Sequence, residues 1–180
     1  MEEPEVPTEE VQKHVEEHAH KTGDSFTSLV AMSIAILAAF AALAALLAGD
    51  RGNEAMVKQI EQADQWSFYQ SKGLKAAVLN IEGEILQSQG KSLPVDNQQK
   101  IDRYAREQEE IKKTAEEEQH KGRYLLRQHR IFAGAVTLFQ VAIAIGAISA
   151  LSKRQPVWYV SLLFGLGGLA FLIRGFLITG

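Results

Sequence analysis

Three histidines near the start of the chain are the residues whose spacing most readily suggests chemistry. His14 and His18 stand four residues apart with Glu17 between them, in the order H-x-x-E-H. At this spacing two histidines share one face of a helix and can hold one metal ion, as in one group of metallopeptidases. That chemistry needs a further ligand and a buried site, but this stretch lies in a polar, acidic tail. We therefore expect a solvated helix, with adventitious metal binding that includes His20 and hydrolysis as the alternatives.

No other set of residues in the sequence forms a recognisable catalytic or metal-binding motif. The chain contains no cysteine, which excludes disulfides, thiol catalysis, cysteine-bound zinc and iron–sulfur clusters. We therefore predict a protein that is not an enzyme and that has no metal and no cofactor. We also expect no nucleic acid among its partners.

A cluster of aromatic residues in the polar middle of the chain is a candidate for contact with another protein. Trp66, Phe68 and Tyr69 lie within four residues, and Lys72 follows one turn later. Large aromatic side chains grouped with polar ones on a weakly packed helix are typical of protein contacts. Packing within the chain or between subunits is the favoured interpretation, and a ligand pocket is the alternative. The candidate contact residues are Asp64, Trp66, Tyr69, Gln70 and Lys72.

Two polar residues lie inside apolar segments and are the intramembrane candidates. Gln140 is in the middle of its segment, where the amide can hydrogen-bond a neighbouring helix or line a pore. Arg174 lies six residues before the last one, close enough to a membrane surface for its guanidinium to reach water. A buried ion pair or an anion-gating role is the alternative for Arg174.

Three apolar segments determine the class of protein that must position these residues. Residues 26–48 and 131–151 contain no charged residue, and residues 157–178 contain only Arg174. A helix needs about 20 residues to cross the hydrocarbon core of a bilayer, and all three segments meet that length. Lipid offers backbone groups no hydrogen-bond partners, so each segment should be a helix. The sequence therefore predicts an all-α integral membrane protein with three transmembrane helices and the lipid bilayer as a partner.

Small residues give two of these spans a surface for close helix packing. In the first span, alanines recur at helical spacing, and in the third span glycines cluster near the centre. The surface of the first span is expected to contact either the other spans or another subunit. The residues are Ala31, Ala35, Ala38, Ala42 and Ala45 in the first span and Gly165, Gly167 and Gly168 in the third.

The polar segment between the first two spans has the length of a helical hairpin. The stretch Gly49-Asp50-Arg51-Gly52-Asn53 is expected to end the first helix at the membrane surface. Two polar arms, residues 54–89 and 96–130, then flank a Gly- and Pro-containing turn, with Asp96 as a helix cap. Arms of similar length predict a coiled-coil-like antiparallel hairpin whose second arm continues into the second span. The predicted segments are an acidic tail with a short helix (1–25), the first span (26–48), the hairpin (49–130), the second span (131–151), a turn (152–156) and the third span (157–178).

The two arms are expected to meet along residues spaced alternately by three and four. Several of these residues are polar or small, so the seam buries little apolar area and the hairpin should rely on copies of itself or on a partner. The first arm contributes Ile60, Ala63, Ser67, Gln70, Leu74, Ala77, Ile81 and Ser88, and the second contributes Ile101, Tyr104, Gln108, Ile111, Ala115, Gly122 and Leu125.

Basic residues near the spans favour a cytoplasmic hairpin, because cytoplasmic loops carry an excess of Lys and Arg. The tail and the turn between the last two spans share one side of the membrane, and the hairpin and the C-terminus share the other. The hairpin side has the larger number of basic residues. That side has Arg51, Lys58, Lys121, Arg123, Arg127, Arg130 and Arg174, and the other has Lys13, Lys21, Lys153 and Arg154.

The stretch Ala63-Asp64-Gln65-Trp66-Ser67-Phe68-Tyr69-Gln70-Ser71-Lys72 resembles an uncharacterised bacterial family of small three-span membrane proteins, a domain of unknown function. The resemblance continues in Asp24-Ser25-Phe26, at the end of an acidic, histidine-containing tail, and covers nearly the whole chain. It implies the same architecture and a bacterial inner membrane, and it brings no established activity.

These observations lead to two functional hypotheses. The first is a non-enzymatic scaffold or accessory subunit of the inner membrane, which assembles through its spans and its hairpin as a homo-oligomer or as part of a larger membrane complex. The alternative is a homo-oligomeric channel or transport component, in which several copies of a span surround a path faced by Gln140 or Arg174.

Overall fold

The computed structural model describes residues 25–178, which form three helices and, in that range, no strand. Helix α1 is Ser25–Ser88, α2 is Val95–Ser152 and α3 is Gln155–Leu177. Each contains a segment long and apolar enough to cross a membrane, by length and composition. The predicted all-helical class with three candidate spans is therefore confirmed. The helix predicted for the tail, with His14, His18 and His20, lies outside the described residues.

The predicted helix break at residues 49–53 is wrong, because α1 continues through it as one helix. Glycine inside a helix costs only about 1 kcal/mol relative to alanine. Gly52 also has a packing role, since a Cβ there would lie 3.0 Å from Nδ1 of His129 on α2. His129 Nδ1–H donates to the carbonyl oxygen of Ala48 at 2.8 Å. The glycine therefore leaves room for a side chain that joins α1 to α2.

Contacts divide the described chain into two units. The span unit comprises residues 25–52 and 126–178, and the arm unit comprises residues 53–125. Within the arm unit, residues 53–88 of α1 are the first arm and residues 95–125 of α2 are the second arm.

The core of the span unit consists of apolar and small side chains from all three helices. On α1 the buried positions recur at intervals of three, four and seven, which places them on one side of the helix. The buried residues of this core are Val30, Ile34, Leu37, Ala44, Ala48, Phe132, Ala135, Phe139, Ala142, Ile143, Ala147, Ala150 and Leu172.

The alanine surface predicted on the first span lies mostly outside this core. Ala35, Ala42 and Ala45 are exposed, while Ala31 and Ala38 are partly buried against it. The prediction that this surface contacts the other spans is therefore wrong for three of its five alanines. Contact with another subunit stays a prediction for these three positions.

Helix α3 approaches its neighbours through glycine. A Cβ at Gly165 would lie 2.6 Å from Cδ2 of Leu37, and one at Gly168 would lie 2.8 Å from the ring of Phe139. A Cβ at Gly167 would make only an ordinary contact, 3.7 Å from Leu138. The predicted close-contact surface of the third span is therefore confirmed at Gly165 and Gly168.

The turn between α2 and α3 is shorter than the predicted 152–156, since only Lys153 and Arg154 separate the helices. Lys153 adopts a left-handed conformation with φ of 52°. Ser149 Oγ, on a fully buried residue, donates to the carbonyl oxygen of Arg154 at 3.1 Å. Pro156 lies in the first turn of α3, where its missing N–H leaves no helical hydrogen bond unmade. These features allow a reversal of direction in two residues.

A glycine-ended turn joins the two arms. Gly90 has φ of +72°. The N–H of Lys91 donates to the carbonyl oxygen of Leu86 at 2.9 Å, and the N–H of Gly90 donates to the carbonyl oxygen of Gln87 at 3.0 Å. This pair of bonds is a Schellman motif, which satisfies the last carbonyls of α1. Helix α2 then begins at Val95, one residue before the predicted cap Asp96. Asp96 instead lies in the first turn and forms an ion pair with Lys100 at 3.1 Å.

Contacts between the arms run in opposite directions along the chain. Lys58 contacts Glu118, Lys72 contacts Glu107, and Glu82 accepts a hydrogen bond from the side chain of Asn97 at 3.2 Å. Residues further along the first arm contact residues that come earlier in the second arm. The arms are therefore in contact from the turn to the other end of the unit.

Candidate functional site

The face that the first arm turns toward the second arm is largely polar or small. Its positions are spaced by three and four, as expected for a helix packed along one side. We call this set the inner face; its buried or partly buried residues include Ala55, Lys58, Gln62, Gln65, Tyr69, Lys72, Ala76, Leu79, Gly83 and Leu86.

An ion pair near the middle of the inner face joins the two arms. Lys72 Nζ lies 2.6 Å from Glu107 Oε2 and 5.4 Å from the centroid of the Tyr104 ring. Arg103 Nε lies 3.6 Å from the other carboxylate oxygen of Glu107. The Lys72 ammonium is the main reason why the pKa of Glu107 lies below its usual value. The ion pair therefore fixes the position of Lys72 against the second arm.

A hydrogen bond from an amide side chain lies next to this ion pair. Gln108 Nε2 donates to the carbonyl oxygen of Tyr69 at 3.1 Å. A Cβ at Gly73 would lie 2.8 Å from the same nitrogen, so the glycine leaves the space that the amide occupies. Trp66 packs edge-on against Tyr69, with ring centroids 5.5 Å apart. Packing within the chain therefore accounts for the inward-facing part of the aromatic cluster.

A second ion-paired group joins the arms closer to the other end of the unit. Lys58 Nζ lies 2.8 Å from Glu61 and 2.9 Å from Glu118, and Lys121 Nζ lies 2.9 Å from Glu118. Contacts with Lys121 and then Lys58 lower the pKa of Glu118 to about 2. Contacts with Glu61 and then Glu118 raise the pKa of Lys58 above its usual value. A Cβ at Gly122 would lie 3.3 Å from Cβ of Lys58, so close approach of the arms accompanies these pairs.

The five candidate contact residues do not form one surface. Trp66, Tyr69 and Lys72 are partly buried, while Asp64 and Gln70 are exposed. Asp64 and Gln70 therefore remain available to a partner, whereas Lys72 is already bound to Glu107.

The other side of the first arm exposes a row of large aliphatic side chains. Each is at least half exposed, from 50% for Val57 to 68% for Leu74. Several large apolar side chains exposed along one side are unusual on a helix that faces only water. We call this set the outward face; it consists of Val57, Ile60, Asp64, Ser67, Ser71, Leu74, Val78, Ile81 and Ile85, spaced throughout by three and four.

The predicted seam is right for the second arm and wrong for the first. In the second arm all seven predicted residues are buried or partly buried. In the first arm Ile60, Leu74 and Ile81 belong instead to the outward face. The arms pack through ion pairs and small residues, which permit close approach, and the largest aliphatic side chains are left outside.

The two intramembrane candidates lie in different surroundings within the span unit. Gln140 is partly buried, and its side chain makes no hydrogen bond to any residue of the 25–178 range. Arg174 is exposed in the last turn of α3. Its neighbour Gly175 accepts a hydrogen bond from Gln128 Nε2 at 3.3 Å, a contact that the sequence analysis missed.

Among residues 25–178, no group of three or more His, Cys, Asp or Glu side chains is placed to hold a metal ion. His14, His18 and His20 lie outside this range. Metal binding by the tail therefore stays a prediction.

Comparison with known families matches residues 26–178 to one model, described as Domain of unknown function (DUF4337). The chain belongs to this family. The match includes both units, so the exposed row on the first arm lies within the family's domain. No curated protein and no solved structure matches the chain.

The outward face of this DUF4337 domain is the candidate functional feature that sequence reasoning missed. The outward face has the same three-and-four spacing as the inner face. Because its side chains are the more apolar, the sequence alone indicates that the outward face is the packed side. The signal that separates the two faces is charge, because Lys58 and Lys72 lie where the acidic residues Glu118 and Glu107 of the second arm can reach them.

Proposed function

We propose that this chain is a non-enzymatic, multi-pass membrane protein that acts as a scaffold or accessory subunit. In this proposal the three candidate spans anchor it in a bilayer, and the arm unit is an antiparallel helical hairpin that binds another helix. The support comes from three apolar helices of sufficient length and from opposite-direction contacts between the arms.

The outward face of the first arm is the single observation that carries the proposal. Fully burying a large aliphatic side chain is favourable by about 1.5–3 kcal/mol. The six on this face therefore offer a substantial drive for association. The three-and-four spacing is the pattern by which one helix packs along another. The occupant should therefore be a helix with an apolar face of its own.

A second copy of this chain is the occupant that we favour. Its own outward face is apolar at both ends, at Val57 and Ile60 and at Leu74 to Ile85, with polar Asp64, Ser67 and Ser71 between them. The exposed positions of the second arm are instead mostly charged, so they do not complement an apolar row. Association of copies through their first arms matches apolar with apolar residues.

The span unit offers a second, weaker reason for association. An amide in the apolar part of a helix is stabilised by about 1 kcal/mol when it finds a hydrogen-bond partner on a neighbouring helix. Gln140 has none among the described residues. In an assembly, the spans of another copy would supply that partner.

The proposed location is a bacterial inner membrane with the hairpin in the cytoplasm. Arg51, Arg127, Arg130 and Arg174 lie at the end of the span unit away from the α2–α3 turn, and Lys153 and Arg154 lie at that turn. The excess of basic residues on the hairpin side supports this orientation.

The test is the mass of the protein after mild detergent extraction from its native membrane. The wild type should run as a multiple of 19.9 kDa or with other polypeptides, and the triple variant Ile60→Ser, Leu74→Ser, Val78→Ser should run as a monomer. Because these side chains are exposed, helical content should be unchanged. Val95→Ser, at an exposed valine outside the outward face, is the matched control. A triple variant with wild-type mass would contradict the proposal.

Gln140 also supports the alternative proposal of a homo-oligomeric channel, in which its free amide faces a path between copies. Conductance of the protein in reconstituted bilayers that changes in Gln140→Leu would favour the channel. Bilayers without conductance would count against it.

A further inference from the structure

Four arginines lie at one level of the span unit. On α2, His129 hydrogen-bonds the carbonyl of Ala48 and packs against Gly52, both on α1. Gln128, also on α2, hydrogen-bonds the carbonyl of Gly175 on α3. These contacts join all three helices at one level. Each arginine is the chain neighbour of one of the contacting residues. Arg51 precedes Gly52, Arg127 precedes Gln128, Arg130 follows His129 and Arg174 precedes Gly175.

The charge at this end of the span unit is strongly unbalanced. Asp50 is the only acidic residue among the described residues of the unit. Arg127, Arg130 and Arg174 are exposed, and none of them forms an ion pair with a residue of the 25–178 range. Neighbouring alpha-carbons are about 3.8 Å apart, so the arginine backbones lie beside the inter-helix contacts. Within the 25–178 range, the guanidinium groups of Arg127, Arg130 and Arg174 therefore have no carboxylate partner.

We propose that Arg127, Arg130 and Arg174 bind the phosphate of an anionic phospholipid headgroup. A guanidinium offers paired N–H donors that match phosphate oxygens and remains charged at any physiological pH. Its long aliphatic stem can lie along the apolar surface while the charged end reaches the headgroups. The residues occur where apolar segments of all three helices end or begin, which is where headgroups would lie if the helices span a bilayer.

The experiment is native mass spectrometry of the full-length protein in mild detergent. The probes are phosphatidylglycerol and phosphatidylcholine with the same acyl chains. The wild type should retain phosphatidylglycerol in preference, and Arg127→Gln/Arg130→Gln should lower its affinity by about tenfold or more, since each basic residue near an anionic surface contributes of order fivefold. Lys153→Gln/Arg154→Gln removes the same charge at the α2–α3 turn and should keep the preference.

Two further measurements keep the proposal open to contradiction. Arg174→Gln, a single change on an exposed residue, should weaken phosphatidylglycerol binding in the same direction even if the double variant fails to fold. Inorganic phosphate at millimolar concentration should not displace the lipid. Displacement would overturn the assignment to a lipid and point to a free anion, and equal losses in the two double variants would show that net charge alone governs binding.

Discussion

Gly168 of α3 lies directly against Phe139 of α2, so close that a Cβ at the glycine would fall 2.8 Å from the ring. The Phe139 side chain is fully buried, and its ring also stacks on Phe40 with centroids 6.0 Å apart. An aromatic ring held from two sides has little freedom to move aside. The glycine is therefore required for the approach of α3 to α2.

Gly168→Ala should destabilise the span unit by about 1–3 kcal/mol, because the added methyl overpacks a rigid contact. Gly167→Ala is the matched control, since its Cβ would lie 3.7 Å from the nearest atom. It should be neutral or slightly stabilising, as alanine favours the helix. The measurement is unfolding of the purified protein in detergent with increasing denaturant. Equal stability of the two variants would contradict the close packing of α3.

The ion pair between Lys72 and Glu107 should contribute a measurable coupling between the arms. Because the pair is partly exposed, the coupling should be favourable but small. A double-mutant cycle with Lys72→Met and Glu107→Gln measures it directly. The same cycle with Lys75→Met, at an exposed lysine one turn away, should give a smaller value. A coupling that is no larger for Lys72 than for Lys75 would show that the pair does not stabilise the arm unit.

The arm unit should lose stability in acid. The pKa of Glu118 is lowered to about 2, so its ion pairs stabilise the folded state fully above the ordinary glutamate pKa near 4.5. That contribution is lost progressively as the pH falls from about 4.5 toward 2. Glu107, whose pKa is also lowered, adds to the same trend. The thermal midpoint by circular dichroism should fall in this range, and Glu118→Gln should flatten the dependence while the exposed neighbour Glu117→Gln should not.

Single cysteines should report contacts between copies, because the chain contains none of its own. Leu74→Cys lies on the outward face and should form a disulfide-linked dimer under mild oxidation if copies meet through their first arms. Ala76→Cys lies on the inner face, toward the second arm, and should remain monomeric. The readout is a shift to twice the chain mass on a non-reducing gel. Dimers from both variants, or from neither, would argue against this contact.

The three candidate spans were predictable because the length of an apolar segment is a strong signal, and no other part of the chain has to be known to read it. Residues 131–151 contain no charge over a length that can cross a bilayer, and α2 includes the whole segment. The glycine face of α3 was predictable for a similar reason, since Gly165 and Gly168 have few uses inside a helix other than close approach. In both cases one physical requirement determines the outcome.

The helix boundary at 49–53 and the seam of the first arm were not predictable, because each depends on a distant part of the chain. Glycines at 49 and 52 indicate a break until His129 is known to occupy the space beside Gly52. Ile60 and Leu74 have the more apolar side chains, but Glu107 and Glu118 draw Lys72 and Lys58 inward instead. Charges on the second arm thus select the packed side of the first arm.

The turn at residues 89–94 provides a place to determine the side of the membrane directly. Lys91 and Ser92 are exposed. The two Schellman hydrogen bonds involve residues before the Lys91–Ser92 peptide bond. Leu93, which follows that bond, lies 3.4 Å from the Cβ position of Gly83. A protease recognition sequence inserted between Lys91 and Ser92 therefore leaves both contacts in place. If the chain lies in a bacterial inner membrane, as proposed, cleavage in sealed inside-out vesicles with protection in intact spheroplasts would place the arm unit in the cytoplasm. The reverse pattern would place it outside.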